Sequence, residues 1–272
     1  MKHQLTGTII LLIALSALVY IVSNTPSLVN PGSTRPQEVP TPRTNVEQPS
    51  AIYSPSAVDT SPKIYISSVS VREYPDFFST VTIYHQSGDP VNVTGWRVKS
   101  NRNEFLIPRA IEVYDPAGLN PEGDIVLGPG QQLKIYSSQS VIRKNLRLNK
   151  CTGYLEVTYD FSPELPRSCP SIPRGDYRNL SGQCQSYILS LGSCRLPDVN
   201  FYNSLPGTAE GNACRNFLST INPGFCFQKY RQDSDFLSNE WWVWVNQQIF
   251  DPRHDFVQLI DKNGSIIDTY EY

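Results

Sequence analysis

The chemistry available to this 272-residue chain is concentrated in a histidine cluster, two acid pairs, a basic run, a tryptophan-rich stretch and six cysteines. His254 stands in Asp251-Pro252-Arg253-His254-Asp255. An imidazole between carboxylates has the composition of a general base with an orienting acid. No nucleophile motif accompanies it: G-x-S-x-G, H-E-x-x-H, the P-loop and G-x-G-x-x-G are all missing. The cluster therefore reads as a polar turn whose charges pair locally. Of the other histidines, His3 precedes an apolar run and His85 closes a strand. Asp160 with Glu164, and Asp233 with Asp235, have the types of paired acids or calcium ligands. Asp233-Ser234-Asp235 is only a fragment of a calcium loop, so solvated loops are the reading for both pairs. No catalytic residue, cofactor or metal site is assigned. The competing reading is an exported hydrolase of cell-wall or nucleic-acid polymers with its site near His254.

Two sets suit binding. Arg143, Lys144, Arg147 and Lys150 place four cations in eight residues with no acid between them. On a helix, Arg143 and Arg147 would share a face that could neutralise a polyanion, but a solvated basic loop is the preferred reading, because charge runs are usually just exposed. The stretch Trp241-Trp242-Val243-Trp244-Val245 reads as a strand. Trp242 and Trp244 then point to one side, and Trp241, Val243 and Val245 to the other. One side must be core. The opposite side is either an aromatic platform for sugar or protein, or is covered by another part of the chain. Coverage is expected, because exposed apolar patches are rare. The candidate binding residues are thus Arg143, Lys144, Arg147, Lys150, Trp242 and Trp244.

All six cysteines fall between Cys151 and Cys226, with no C-x2-C pair and no histidine among them. That pattern disfavours zinc and favours disulfides made in an oxidising compartment. Cys184 and Cys194 on one continuous helix would stand about 15 Å apart, too far to bond. Pairing across a helical hairpin predicts Cys184–Cys226 and Cys194–Cys214, leaving Cys151–Cys169. This is one of fifteen possible connectivities.

The elements that carry these residues follow from composition. Lys and Arg total 23 against 25 Asp and Glu, which excludes a generic basic nucleic-acid binder. An aromatic content of 11% excludes a wholly disordered chain. Residues 5–22 form the single long uncharged apolar run, which excludes a multi-span protein. At 1.5 Å per residue it reaches about 27 Å, enough to cross a thin bilayer. Lys2 ahead of it predicts a cytoplasmic N-terminus and an extracytoplasmic remainder. An uncleaved anchor is preferred to a signal peptide, because the run exceeds a signal h-region. Residues 23–62 hold eight of the 22 prolines and no periodicity, and read as an extended linker reaching on the order of 120 Å.

Residues 63–272 suit one core. Period-2 runs separated by Gly/Pro turns fill their first part, and strands return after residue 239. Lys262-Asn263-Gly264 between two apolar runs predicts a hairpin. Between the strand regions, at about 138–239, alternation fades and helices are expected at 183–191 and 212–220, with Asn222-Pro223-Gly224 stopping the second. The predicted class is mainly β, a sandwich interrupted by a Cys-rich helical insertion.

Several motifs resemble the lamin tail domain. Val93-Thr94-Gly95-Trp96-Arg97-Val98 is similar to its L-S-G-W-x-L strand, and Phe105-Leu106-Ile107-Pro108 to the next short strand. Gly128-Pro129-Gly130 followed by Gln131–Tyr136 resembles its L-x-P-G strand. Asp261-Lys262-Asn263-Gly264 with Ile266-Ile267-Asp268 resembles its closing hairpin. The likeness covers residues 63–137 and 240–272; the Cys-rich insertion departs from that family's compact domain. It implies an immunoglobulin-like β-sandwich and roles in protein, membrane or nucleic-acid binding, or as an accessory module on exported bacterial enzymes. The expectation is a membrane-anchored extracytoplasmic protein acting in binding, adhesion or scaffolding. Its partners would be the membrane through residues 5–22, and a protein or anionic polymer at the cell surface. Asn92, Asn179 and Asn263 head glycosylation sequons.

Overall fold

The computed structural model describes residues 63–72 and 78–272. The expected anchor at 5–22 and linker at 23–62 lie outside them. Among the described residues, no helix is long and apolar enough to cross a membrane. The protein is mainly β, with several sheets and three disulfides.

The described residues form eleven strands, of which the first two most clearly alternate inward apolar and outward polar residues. They are β1 (Lys63–Arg72), β2 (Phe78–Ser87), β3 (Val91–Asn92), β4 (Arg97–Lys99), β5 (Glu104–Leu106), β6 (Val126–Leu127), β7 (Gln132–Tyr136), β8 (Leu146–Asn149), β9 (Leu237–Trp244), β10 (Phe256–Ile260) and β11 (Ile266–Glu271). They form a five-stranded sheet ordered β1-β2-β7-β9-β8, a four-stranded sheet ordered β11-β10-β4-β5 and the pair β3-β6. β1 changes phase between Ile66 and Ser68, where its pairing with β2 is bulged. The bulge moves the inward positions from Ile64 and Ile66 to Val69 and Val71, as a period-2 element requires when one residue is added.

One apolar cluster draws on all three sheets, with Val81, Ile83, Leu133, Ile135, Trp241 and Val243 meeting Val98, Phe105, Val257 and Leu259. β9 lies between β7, with which it runs parallel, and β8, with which it runs antiparallel. A parallel neighbour needs a long crossover. The chain supplies it by leaving after β8, making the helical segment and returning as β9. Trp241 through Trp244 are all buried, so both faces of this inner strand are covered and its sequence reads as a continuous apolar run. The β10–β11 hairpin turns at Lys262-Asn263-Gly264. Gly264 sits at φ +86°, and the Asp261 carboxylate accepts the N–H groups of Asn263 and Ser265, each at 2.8 Å. A turn closing with a left-handed residue suits glycine.

The segment between β8 and β9 holds a 3₁₀ turn (Thr152–Val157) and five helices: α1 (Arg174–Tyr177), α2 (Gly182–Ser190), α3 (Val199–Ser204), α4 (Ala209–Leu218) and α5 (Pro223–Tyr230). α2 lies within a residue of its expected bounds. α4 starts three residues earlier than expected, because the Thr208 hydroxyl caps it by accepting the Gly211 N–H. Asn222-Pro223-Gly224, expected only to end a helix, begins α5. Asn222 Oδ1 accepts the Phe225 N–H at 2.8 Å, and Pro223 takes the first turn, where its missing N–H costs nothing.

That unforeseen helix overturns the expected disulfide pairing of Cys151–Cys169, Cys184–Cys226 and Cys194–Cys214. The bonds are Cys151–Cys226, Cys169–Cys194 and Cys184–Cys214. Cys226 belongs to α5, which packs against the end of β8, so its partner is Cys151 rather than a cysteine of α2. Cys184 of α2 is then free to reach Cys214 of α4 inside a small core with Tyr177, Ile188, Leu205 and Leu218. Closing loops of 25 to 75 residues, these bonds stabilise by about 3.5–4.5 kcal/mol each in the chain-entropy account.

Candidate functional site

The basic run forms no helix. Arg143 sits in a turn at φ +53°, and Arg147 lies on β8. Three of the four cations are neutralised. Lys144 pairs with Glu122 at 3.2 Å, and Arg147 with Glu112 at 3.3 Å. Lys150 Nζ donates to both Asp233, at 2.7 Å, and Asp235, at 2.5 Å. Its hydrogen bonds to those two carboxylates hold the Lys150 ammonium above its ordinary pKa. This explains one expected acid pair: Asp233 and Asp235 are spaced to grip a lysine. Arg143 alone remains exposed with no ion pair among the described residues.

Trp242 and Trp244 share a face, as strand geometry requires, but that face is covered. Trp242 lies 4.9 Å from Tyr136 and Trp244 5.6 Å from Phe161, ring centre to ring centre. Leu155, Phe161 and Leu165 of the inserted segment close over them. Trp242 Nε1 donates to Glu240 at 2.9 Å, and Trp244 Nε1 donates to the Ser162 carbonyl at 3.4 Å. No aromatic platform is present on this face. Glu240 also accepts from Lys134 at 2.9 Å and Gln132 at 2.8 Å. Burial pushes its carboxyl up, but the bonds from Lys134 and Trp242 outweigh that and hold it below its ordinary range.

The histidine cluster is also structural. The Asp255 carboxylate is buried and accepts the backbone N–H groups of Asn101 at 2.7 Å, and of Asp251 and Phe256 at 2.8 Å. It is therefore engaged away from His254. His254 lies exposed, with Nδ1 at 2.7 Å from the Tyr272 carbonyl and Nε2 at 3.5 Å from Glu271. His85 is buried, its ring nitrogens against the carbonyls of Leu127 and Ser87. Asp160 and Glu164 are exposed. Among the described residues, no three His, Cys, Asp or Glu side chains gather as a metal site would need.

What the structure does assemble is a cleft of about 380 Å³ in the helical segment. That is within the ~300–1,000 Å³ range of small-molecule sites. Its lining combines the apolar Ile172, Phe217, Ile221 and Phe225 and the prolines Pro170 and Pro173 with the polar groups of Tyr154, Asp176, Lys229 and Tyr230. Asp176 sits on α1 and Lys229 on α5, joined by a 2.8 Å hydrogen bond. Phe225 is 42% exposed at the mouth, although it sits on the first turn of a helix stapled at the next residue by Cys226. Burial, with Tyr230 alongside, pushes the Tyr154 phenol above its ordinary pKa, so it stands in the cleft as a hydroxyl. A smaller cavity of about 200 Å³ shares the Tyr154, Pro170, Ile172 and Ile221 walls and adds Ser171, Ser193 and Arg195. A third, polar bay of about 490 Å³ beside β9 has Lys150, Asp235 and Glu240 on its walls, already bonded to neighbours.

The cleft residues were not singled out in the sequence. Their one local signal is the aromatic spacing of Phe225, Phe227 and Tyr230 behind the Asn222-Pro223 start; Tyr154 and Asp176 join them only through folding. No family model matches the chain, and no curated protein or solved structure matches it significantly.

Proposed function

We propose that this is a membrane-anchored extracytoplasmic binding protein that does no chemistry on its ligand. In this reading the strands form a lamin-tail-like, immunoglobulin-like β-sandwich at the end of a proline-rich stalk. The sandwich is a rigid base, and the disulfide-stapled helices present the ligand site. The observation that carries the reading is the cleft: an aromatic side chain exposed on a disulfide-bonded helix, in one lining with a small set of polar groups. The sequence supports the topology through the apolar run at 5–22 and the cysteine content.

Both parts can be tested on the full chain. Protease added to intact cells should remove a C-terminal tag, and its protection would overturn the topology. Purified full-length protein should bind isolated cell-envelope material saturably. Phe225→Ala should weaken that binding about tenfold, the scale of a central aromatic contact. Arg143→Ala with Lys144→Ala should leave it unchanged. The opposite ranking would return the function to the basic run.

A further inference from the structure

The polar groups of the cleft define its ligand more closely. Asp176 accepts from Lys229 across 2.8 Å, so the only carboxylate and the only ammonium of the cleft lining neutralise each other. Lys229 Nζ also lies 5.4 Å from the Tyr230 ring centre. The Tyr154 and Tyr230 phenols complete the polar set. Together these groups donate and accept in roughly equal measure: the carboxylate accepts, the ammonium donates and the phenols do both. A charged ligand would meet its like charge as closely as its opposite. A wholly apolar ligand would strip water from these groups and give nothing back. A peptide adding to a sheet edge finds none here, since helices and connecting loops make the walls.

The ligand that fits presents one flat apolar face to Phe217 and Phe225 and neutral hydroxyls to the polar groups of the lining. A pyranose ring has both: a face of C–H groups and a rim of hydroxyls. The smaller cavity shares Tyr154 and Ile172 with it, and its Ser171, Ser193 and Arg195 bring further polar groups, the Ser193 hydroxyl as an acceptor since it donates to the Cys169 carbonyl. We infer that this cleft binds a short neutral oligosaccharide, one ring against Phe217 and Phe225 and the next toward Ser193. The inference rests on the binding function proposed above and names the ligand class of that same site.

The test is calorimetric titration of the full chain, disulfides intact, in a detergent without a sugar headgroup. The probes are maltotetraose, cellotetraose and chitotetraose, beside a heparin tetrasaccharide and a proline-rich decapeptide. At least one neutral tetrasaccharide should bind saturably and more tightly than the heparin fragment or the peptide. Phe225→Ala should weaken it at least about tenfold, the size of one strong contact. Tyr230→Phe, which keeps the ring and removes only the hydroxyl, should weaken it severalfold with the near-ultraviolet dichroism unchanged. Arg143→Ala should not alter it. Silence with all three neutral probes, or tighter binding of heparin or the peptide, overturns the ligand class. If Phe225→Ala still weakens envelope binding about tenfold in that case, the binding cleft stands and the sugar falls. If it does not, both readings fall together.

Discussion

Arg147 of β8 lies directly opposite Trp241 of β9, its guanidinium carbon 5.5 Å from the indole ring centre. The same side chain donates from Nε to the Ser238 carbonyl at 2.8 Å and reaches Glu112 with Nη1. A residue that reads as a polyanion ligand is thereby the lateral seal of the main core. Removing it should cost stability and leave polyanion affinity unchanged. Arg147→Ala loses a partly desolvated cation–π contact and leaves a strand carbonyl without its charged donor. Together these cost about 1–3 kcal/mol. Urea unfolding should show the loss, with heparin binding equal to wild type. Equal stability with weakened heparin binding would restore Arg147 as a ligand residue.

The disulfide pairing makes a sharper claim, because each bond has a different structural duty. Non-reducing peptide mapping should recover Cys151–Cys226, Cys169–Cys194 and Cys184–Cys214. Replacing Cys184 and Cys214 together by Ser should loosen the helical core at a cost of about 3–4 kcal/mol to that segment. The tryptophan dichroism of β9 should survive, since its core belongs to the strands. Loss of the tryptophan signal at the same denaturant concentration would mean that strands and helices unfold as one unit.

Glu240 links pH to stability. Its folded pKa is depressed, so its contribution is fully present above the ordinary value of 4.5 and is lost as pH falls through the lower folded value. Thermal denaturation of wild type and Glu240→Gln should therefore differ most near neutral pH and converge as pH falls below about 4.5. Trp242, whose indole N–H donates to this carboxylate, should report the same transition in fluorescence. A gap that widens in acid would reverse the sign and remove the assigned role.

Strand residues were legible in the sequence because their signal is local. Ile64, Ile66, Val81 and Ile83 alternate, the bulge appears as a phase change at Ser67-Ser68, and Asp261 to Gly264 spell their own turn. The sidedness of Trp241 against Trp242 and Trp244 follows from the same period. What covers each side does not. Phe161 and Leu165 close over Trp244 from a stretch with no periodicity, and Glu122 reaches Lys144 from another loop. The acids that neutralise the basic run, Glu112, Glu122, Asp233 and Asp235, are hidden for the same reason: they are far away in sequence. The cleft was invisible because Tyr154, Asp176, Phe217 and Tyr230 come from four separate segments. Even the cysteine pairing turned on one helix start, where Asn222-Pro223 ends one element and begins the next.

That helix start carries the last prediction. Asn222 Oδ1 caps α5 through the Phe225 N–H, and Asn222 Nδ2 donates to the Ser219 carbonyl at 2.8 Å. One side chain thus closes α4 and opens α5, and it orients Phe225 at the cleft mouth. Asn222→Ala should cost about 1 kcal/mol, and Asn222→Asp, which keeps the capping oxygen, should recover most of it. Ligand affinity should follow the same order, because an uncapped first turn no longer fixes the Phe225 ring. Measuring stability by denaturant and affinity by envelope binding separates the two effects. If Asn222→Ala lost stability but bound as tightly as wild type, Phe225 would be held by Cys151–Cys226 alone.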